Sequence, residues 1–521
     1  MSQLSFCAMM HGMKTMASSL PNDPKQLQAI ILQLQQTLAQ QESVIITLRH
    51  QLSVLKRARF GRSSELLDSQ IHQLELQLEE LEMQTAALPK LSTPTSEDKA
   101  TPRRRAELPP QLPREELRVE AACQCPACQG ELTHIGDDVS EMLDVVPASY
   151  RVIRIVRPKF SCKHCDTLVQ GAAPERVIQK GLASAALLTQ VAVDKYLDHQ
   201  PLYRQAERME REGIDIERST LADWVGQIGA LLTPLADAIG RYVKAAQHIY
   251  ADDTTAPTLA PGKGRTQTGR YWTYVRDGRS WGDTTAPAVW LQYSEDRKGL
   301  HPTAHLKGYQ GSLQADAYAG YNELYQRKIQ QHGCWAHVRR KFYDITQSGP
   351  SPIADEAIKI IQSLYVIEKQ ARGQPPNERQ HIRKTQAKPI LEHFHSWLQA
   401  TLRTLSKGSP LSKAIHYALK QWDALIAYVD NGYAELDNNS AERSLRPIAL
   451  GRKNYLFAGS VAGGQRTAVL YSILGTAKLN GINPNDYLTA VLKRIGNHPI
   501  NRIDELLPWD IDLSNQPGDA I

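Results

Sequence analysis

Three acidic residues stand where a carboxylate could do chemistry: Asp252 in HIYADDTTAP, Asp316 in SLQADAYAGY and Glu442 in LDNNSAERSLRP. Asp252 follows the run Gln247–Ala251 and Asp316 closes on the run Ser312–Ala315, both of which read as strands. Asn439 reads as a helix N-cap with Glu442 three residues on, a capping-box spacing that puts Glu442 on the first turn of a helix. Taken by itself, Glu442 needs no role beyond that box. Together, two strand-end aspartates and a helix-borne glutamate can converge over one sheet edge. Such an all-oxygen donor set suits Mg²⁺ or Mn²⁺ rather than zinc. Two ions held that way can keep the attacking and leaving oxygens of a phosphodiester in line. Asp252 and Asp253 point to opposite sides if the strand continues, and spacing alone does not choose between them.

Basic residues accompany the acids. Arg446 lies one helical turn after Glu442, on the same face. Pro447 should kink or end that helix, leaving Arg452 and Lys453 in a Gly-bearing turn as candidate phosphate contacts. Upstream, GCWAHVRRKF sets Cys334 and His337 three apart and adds Arg339 and Arg340. As a metal pair, Cys334 and His337 need partners of a kind that the core does not obviously provide, so zinc is not expected there. The two arginines read either as DNA-backbone contacts or as a solvated basic helix face. Lys263 and Arg265 sit in GKGRTQTG, which lacks the GxxxxGK[ST] pattern and reads as a hairpin connection rather than a nucleotide site.

A second metal chemistry is written in Cys125-Pro-Ala-Cys128 and Cys162-Lys-His-Cys165. Two CxxC knuckles flanking the hairpin-like MLDVVPASYRVIRIVRPKF can close a tetrahedral four-thiolate zinc site. With no secretory signal ahead of them, disulfides are not expected. His134 and His164 read as bystanders, and Cys123 stands too far from Cys128 for the usual knuckle.

The elements that must position these groups follow from periodicity. Leu27, Ile31, Leu34, Leu38, Ile45, Leu48, Leu52 and Leu55 keep a heptad with Gln41 in the seam, and Ile71, Leu74, Leu78 and Leu81 follow in another phase. This is a coiled-coil signature, broken at KRARFGRSSE; the two helices could pair within one chain as a hairpin or across chains as a zipper, and the polar seam residue favours self-association into a homo-oligomer. Residues 89–113 carry six prolines and no apolar period, as a linker does. Over 183–240, a helix, Gly213 and a helix capped by Ser219 resemble a helix-turn-helix. Tyr271–Arg276 and Ala288–Tyr293 read as further strands. From 351 to 434 the stripes Leu391, Phe394, Leu398, Leu402, Leu405 and Ile415, Leu419, Trp422, Leu425 are helical core. That block separates Asp316 from Glu442 by 126 residues, too many for one strand–helix connection, and reads as an all-helical insertion.

Length and charge set bounds. A chain of 521 residues exceeds one ordinary core. No run approaches the ~20 apolar residues of a membrane span, and no signal peptide is evident, so a cytoplasmic protein without a membrane partner is expected. Repeated methionines near the start make Met16 an alternative to Met1. The net charge of +6 is modest, but the clusters Lys56–Arg62 and Arg103–Arg105 could meet phosphates.

ADDT, GKGRTQTGRYWTYVRDG, QADAYAGYN, GCWAHVRRKF and NNSAERSLRPIALGRKNYLFAGS occur in this order. In that order they resemble the insertion sequence 66 family of bacterial DDE transposases, and the resemblance spans about residues 25–510. It implies that Asp252, Asp316 and Glu442 match the catalytic acids, with Asp253 replacing the glutamate of the usual DET. It also implies an RNase H-like core, a zinc-binding domain at the CxxC pairs and a Cys-x-x-His signature near the site. There His337, beside Cys334, would support the carboxylates or orient a phosphate.

The expected fold is multidomain α+β. Residues 1–23 form a disordered start, 24–88 the coiled coil, 89–113 the linker and 114–175 a zinc ribbon-like module. Residues 176–244 are helix-turn-helix-like, 245–350 and 435–480 are the two parts of the RNase H-like core, 351–434 is the helical insertion, and 481–521 a C-terminal helix and tail. The implied reaction is Mg²⁺-dependent cleavage of double-stranded transposon ends and joining to target DNA, with accessory proteins of the same element as possible partners. The rival readings are a non-catalytic DNA-binding regulator and a nuclease that cuts without joining.

Overall fold

The computed structural model describes residues 142, 149–161, 168–260 and 264–513. Outside the described residues lie the coiled-coil and linker readings, Lys263, the end of the tail, and the four knuckle cysteines Cys125, Cys128, Cys162 and Cys165. Two compact units are present, one of Lys90–Ala173 and a larger one that includes Pro174–Ala520.

In the smaller unit, β1 (Lys159–Ser161) pairs antiparallel with β2 (Leu168–Gln170), Phe160 opposite Val169. Arg157 closes the open end of this hairpin by donating Nε to the Gly171 carbonyl at 2.8 Å, while Gln170 Nε2 donates to the Arg157 carbonyl at 3.0 Å.

The larger unit opens with four helices, α1 (Ala185–Tyr196), α2 (Leu202–Arg211), α3 (Arg218–Leu231) and α4 (Thr233–Lys244). Gly213 makes the turn after α2 with φ +76°, a conformation that an L side chain resists. Ser219 is not the cap of α3. The N-cap is Glu217, and Ser219 lies inside the first turn, donating its hydroxyl to the Glu217 carboxylate at 2.9 Å.

Five strands follow: β3 (His248–Leu259), β4 (Thr266–Arg276), β5 (Ala288–Ser294), β6 (Ser312–Gln314) and β7 (Gln330–His332). Their order in the sheet is β5-β4-β3-β6-β7. The pairs β5–β4 and β4–β3 are antiparallel, whereas β3–β6 and β6–β7 are parallel. Two short helices, α5 (Leu300–His305) and α6 (Asn322–Tyr325), lie in the connections flanking β6. β3 runs well past Asp252, because its hairpin with β4 continues to the pair Leu259–Thr266. The parallel neighbour β6 stops much earlier, its last pair with β3 being Gln314–Tyr250. Asp252 therefore sits mid-strand, two residues beyond the point where β6 leaves.

A helical block follows: α7 (Trp335–Ser348), α8 (Pro352–Ala371), α9 (Pro376–Ile382), a π turn at Arg383–Ala387, α10 (Lys388–Thr404), α11 (Pro410–Lys420) and α12 (Trp422–Ile426). It has its own core, in which Phe342, Ile361, Leu391, Phe394, Leu398 and Ile415 are buried. Its entrance and exit meet. Gly333 N–H bonds the Ala424 carbonyl at 2.8 Å, and Trp335 N–H bonds the Leu436 carbonyl at 3.1 Å.

Three more helices close the unit: α13 (Asn439–Gly451), α14 (Val461–Leu479) and α15 (Pro484–Arg494). α14 lies against β5, and Gly464 makes this possible, since a Cβ there would come within 2.6 Å of the Tyr293 ring. Hydroxyls of α14 also satisfy the edge strand, Ser472 Oγ accepting from Leu291 N–H at 2.8 Å and Thr476 Oγ1 from Val289 N–H at 3.2 Å. A covered edge of this kind offers no template for further strand pairing. Among the described residues no helix is long and apolar enough to cross a membrane.

Candidate active site

The parallel pairing of β3 with β6 sets two of the acids side by side. Tyr250 stands opposite Gln314 in the register, and two residues further along each chain come Asp252 and Asp316. The third acid arrives on α13, which packs on β3 and β4. One side chain pins its start. Asn438 donates Nδ2 to the Ala251 carbonyl at 2.8 Å, and its own amide donates to Cys334 Sγ at 3.3 Å. Asn438, not Asn439, is the N-cap, and its side chain makes no capping bond. Asn439 instead bonds Asp437, through its backbone at 3.2 Å and its side chain at 3.0 Å. Further along α13, Ser444 Oγ meets Thr273 Oγ1 of β4 at 2.8 Å. Pro447 does not end the helix, which continues to Gly451.

Asp252 and Asp253 are separated by the strand pleat into different electrostatic worlds. The Asp253 carboxylate is fully buried and neutralised, with Arg297 at 2.8 Å and Arg270 at 3.2 Å. Asp252 is surrounded by like charge. Burial, then the charges of Asp316, Glu442 and Asp253, push its carboxyl well above the ordinary range, against the pull of the Asp253 amide, which donates to it at 2.8 Å. Asp316 is pushed up by burial and by Asp253, and is partly relieved by the Tyr318 amide at 3.1 Å and by Arg297 at 3.6 Å. The like charges of Asp316 and Glu442 beside Asp252 favour either a proton on Asp252 or a cation nearby. The donor set, oxygen only, fits hard divalent ions.

Arg297 was not singled out by the sequence reading. It bridges Asp253 and Asp316 while stacking over the Tyr318 ring at 4.1 Å. Its sequence signal is faint, an arginine in a polar turn after β5.

Cys334 and His337 do find a partner, contrary to the sequence expectation. It is Glu442: donor atoms of Cys334, His337 and Glu442 all lie within 4.8 Å of one another, with His337 Nδ1 3.8 Å from Glu442 Oε1. The missing ligand comes from a helix 105 residues further on, out of reach of any local spacing rule. Burial, helped by Arg340 and Lys341, pushes the His337 imidazole down to about 3, so it is neutral at physiological pH. Burial and the charges of Glu442 and Asp437 push the Cys334 thiol well up.

The basic candidates divide. Arg339 and Arg340 are buried, at 7% and 8% exposure, so neither forms a solvated helix face. Arg452 is not in an open turn. It is buried and donates Nη1 to the Thr255 carbonyl at 2.5 Å and Nη2 to Thr254 Oγ1 at 3.0 Å, clamping β3. Arg446 is half-buried, while Lys453 and Arg443 are exposed beside it.

The chain matches the family model described as "Transposase IS66 family" over residues 180–466. It also matches "zinc-finger binding domain of transposase IS66" over 122–166, "IS66 C-terminal element" over 472–509 and "Transposase C of IS166 homeodomain" over 47–117. Among curated relatives, "Uncharacterized protein y4hP" of Sinorhizobium fredii (strain NBRC 101917 / NGR234) is 39% identical over 491 residues, covering 89% of each chain. "Uncharacterized protein y4jD" of the same organism is 35% identical over 497 residues, covering 92% of this chain and 97% of that one.

Proposed function

Because the chain belongs to the IS66 family of transposases, we propose that it cuts the ends of its own DNA element and joins them to target DNA at Asp252, Asp316 and Glu442. The observation that carries this reading is the convergence of β3, β6 and α13, which leaves the half-buried Asp252 among the charges of Asp316 and Glu442. The sheet order, with β4 antiparallel between β5 and β3, supports an RNase H-like core.

Asp252, Asp316 and Glu442 would hold Mg²⁺ or Mn²⁺. Bound there, such ions supply charge neutralisation and in-line alignment of the attacking and leaving oxygens. The chain's own part is placement. The sheet fixes the two aspartates, Asn438 and Ser444 fix the helix that carries Glu442, and Arg297 restrains Asp316. Arg446 and Lys453 contact phosphate, whereas the buried Arg452 holds β3 and the buried Arg339 and Arg340 act from beneath the surface. Hydrolysis of one phosphodiester at the element end releases a 3′-hydroxyl. That hydroxyl then attacks a target phosphodiester, forming one P–O bond and breaking another, so no nucleotide triphosphate is consumed. Cys125, Cys128, Cys162 and Cys165 would hold a structural Zn²⁺, and residues 24–88 would pair two copies so that both ends are held together. Double-stranded DNA is the partner and the cytoplasm the place of action.

The test is incubation of the full-length protein with labelled element ends, Mg²⁺ and a target plasmid. Joined product is expected in wild type. Asp316→Asn and Glu442→Gln should lower cleavage by on the order of 10³-fold while end binding persists. Binding without cleavage would leave a regulator, cleavage without joining a nuclease, and activity retained in either variant would overturn the site.

A further inference from the structure

We propose that Cys334, His337 and Glu442 form a second divalent-cation site, selective for a borderline-soft ion of the zinc class, that competes for Glu442 with the hard-ion site. The geometry is that of two helix starts facing one another. Cys334 is the N-cap of α7, His337 follows on its first turn, and Glu442 rides on the first turn of α13. The two starts are tied by the Asn438 amide on Cys334 Sγ at 3.3 Å and by Trp335 N–H on the Leu436 carbonyl.

Each donor offers the atom that zinc takes: thiolate sulfur, imidazole nitrogen and carboxylate oxygen. Ligand bonds of about 2.0–2.3 Å in a tetrahedron place donors roughly 3.4–3.8 Å apart. The His337–Glu442 separation of 3.8 Å already meets this, and the others, all within 4.8 Å, need closure of about 1 Å, which side-chain torsions supply. Charge also balances. A thiolate and a carboxylate around a dication make a neutral unit, the form in which buried charge is tolerated. Cys334 and the Glu442 side chain are 4% and 5% exposed, and although the His337 side chain is 24% exposed, its Nδ1 facing Glu442 is buried, so the three donors meet away from solvent. On binding, the thiol releases its proton to solvent.

The site itself stands on these three donors. Its consequence, that a zinc-class ion inhibits cutting by drawing Glu442 from Asp252 and Asp316, rests on the function proposed above. Zinc content is measured by mass spectrometry on full-length wild type, Cys334→Ser and His337→Gln, each equilibrated with Zn²⁺ and then dialysed, with thermal melts to confirm folding. Each folded variant should hold one equivalent fewer than wild type, and equal content in wild type and a folded variant overturns the site. His337→Gln alters a partly exposed ring and serves if Cys334→Ser fails to fold. Zn²⁺ is then titrated into Mg²⁺-dependent cleavage. Inhibition should require at least ~10-fold more zinc in His337→Gln than in wild type, and equal sensitivity overturns the competition. Loss of the equivalent with no cleavage in wild type refutes the cutting role and keeps the metal site. Normal cleavage with unchanged zinc content does the reverse.

Discussion

Around Arg383 and around Asp252 the larger unit buries charge in two different ways. Arg383, fully buried, forks onto Glu368 through two bonds of 2.6 Å and gives its remaining donors to the Tyr428, Asn431 and Ala434 carbonyls. Arg379, 1% exposed, makes one bond to Glu435 at 2.7 Å and gives others to the Ala434 carbonyl and Ser280 Oγ. Burial alone would raise the Glu435 carboxyl, but Arg379 and Arg372 outweigh it and hold it below the usual range. Every charge there has an opposite, so the cluster is a fastener: it holds the strap leading into α13. Asp252 has the reverse surroundings, with neighbours of its own sign. Burial does not by itself mark a working residue; burial against like charge does.

The contrast can be broken most forcefully at the fastener. Arg383→Met leaves the buried Glu368 with only Arg379, at 3.6 Å, and should cost about 3–5 kcal/mol in denaturant unfolding. Next in size is the staple between the two regions. Asn438→Ala removes the bond to the Ala251 carbonyl and should cost about 1–3 kcal/mol, with a fall in cleavage that raised Mg²⁺ does not fully restore. Asp252→Asn should act in the opposite sense, raising the stability of the metal-free protein by about 0.5–2 kcal/mol while abolishing cleavage. A destabilised Asp252→Asn would mean that the acid is structural.

Acid titration sharpens the same contrast. Asp252 has a raised folded pKa, so its contribution to stability is fully present below the unfolded value and is lost as pH rises through the folded one. Glu435 has a lowered folded pKa, so its contribution is present above the unfolded value of 4.5 and is lost as pH falls through the folded one. His337, depressed to about 3, favours the fold above 6.5 and loses that contribution as pH falls toward 3. Melting curves of Asp252→Asn and Glu435→Gln against wild type should therefore diverge in opposite directions with pH. Added Mg²⁺ should stabilise wild type near neutrality and have little effect on Asp252→Asn. The smallest effect is expected outside both clusters. Lys453→Ala should leave stability within about 0.5 kcal/mol and reduce the salt slope of DNA binding by about 1.

Local pattern made some of this legible and long-range pairing hid the rest. The alternation of Val289, Leu291 and Tyr293 marks β5, and the stripe Leu391, Phe394, Leu398 marks a core helix. The strand β7, Gln330-Gln331-His332, has no apolar signal, since it is short and exists through its parallel register with β6. The role of Asn438 depends on a carbonyl 187 residues away. Arg452 looks like a loop residue because the Gly451 before it suggests a turn, yet a helix end and two threonines of β3 enclose it. The pleat that separates Asp252 from Asp253 was foreseeable, whereas which of them meets arginine was not.

The helical block between the second and third acids begins and ends at neighbouring points, Gly333 against Ala424 and Trp335 against Leu436. A detour that returns to its starting place adds no displacement to the path. The block can therefore lengthen, shorten or flex at its far end while the span across its neck stays fixed by two backbone bonds. Crosslinking or grafting at its outer tip should leave Glu442 where it is.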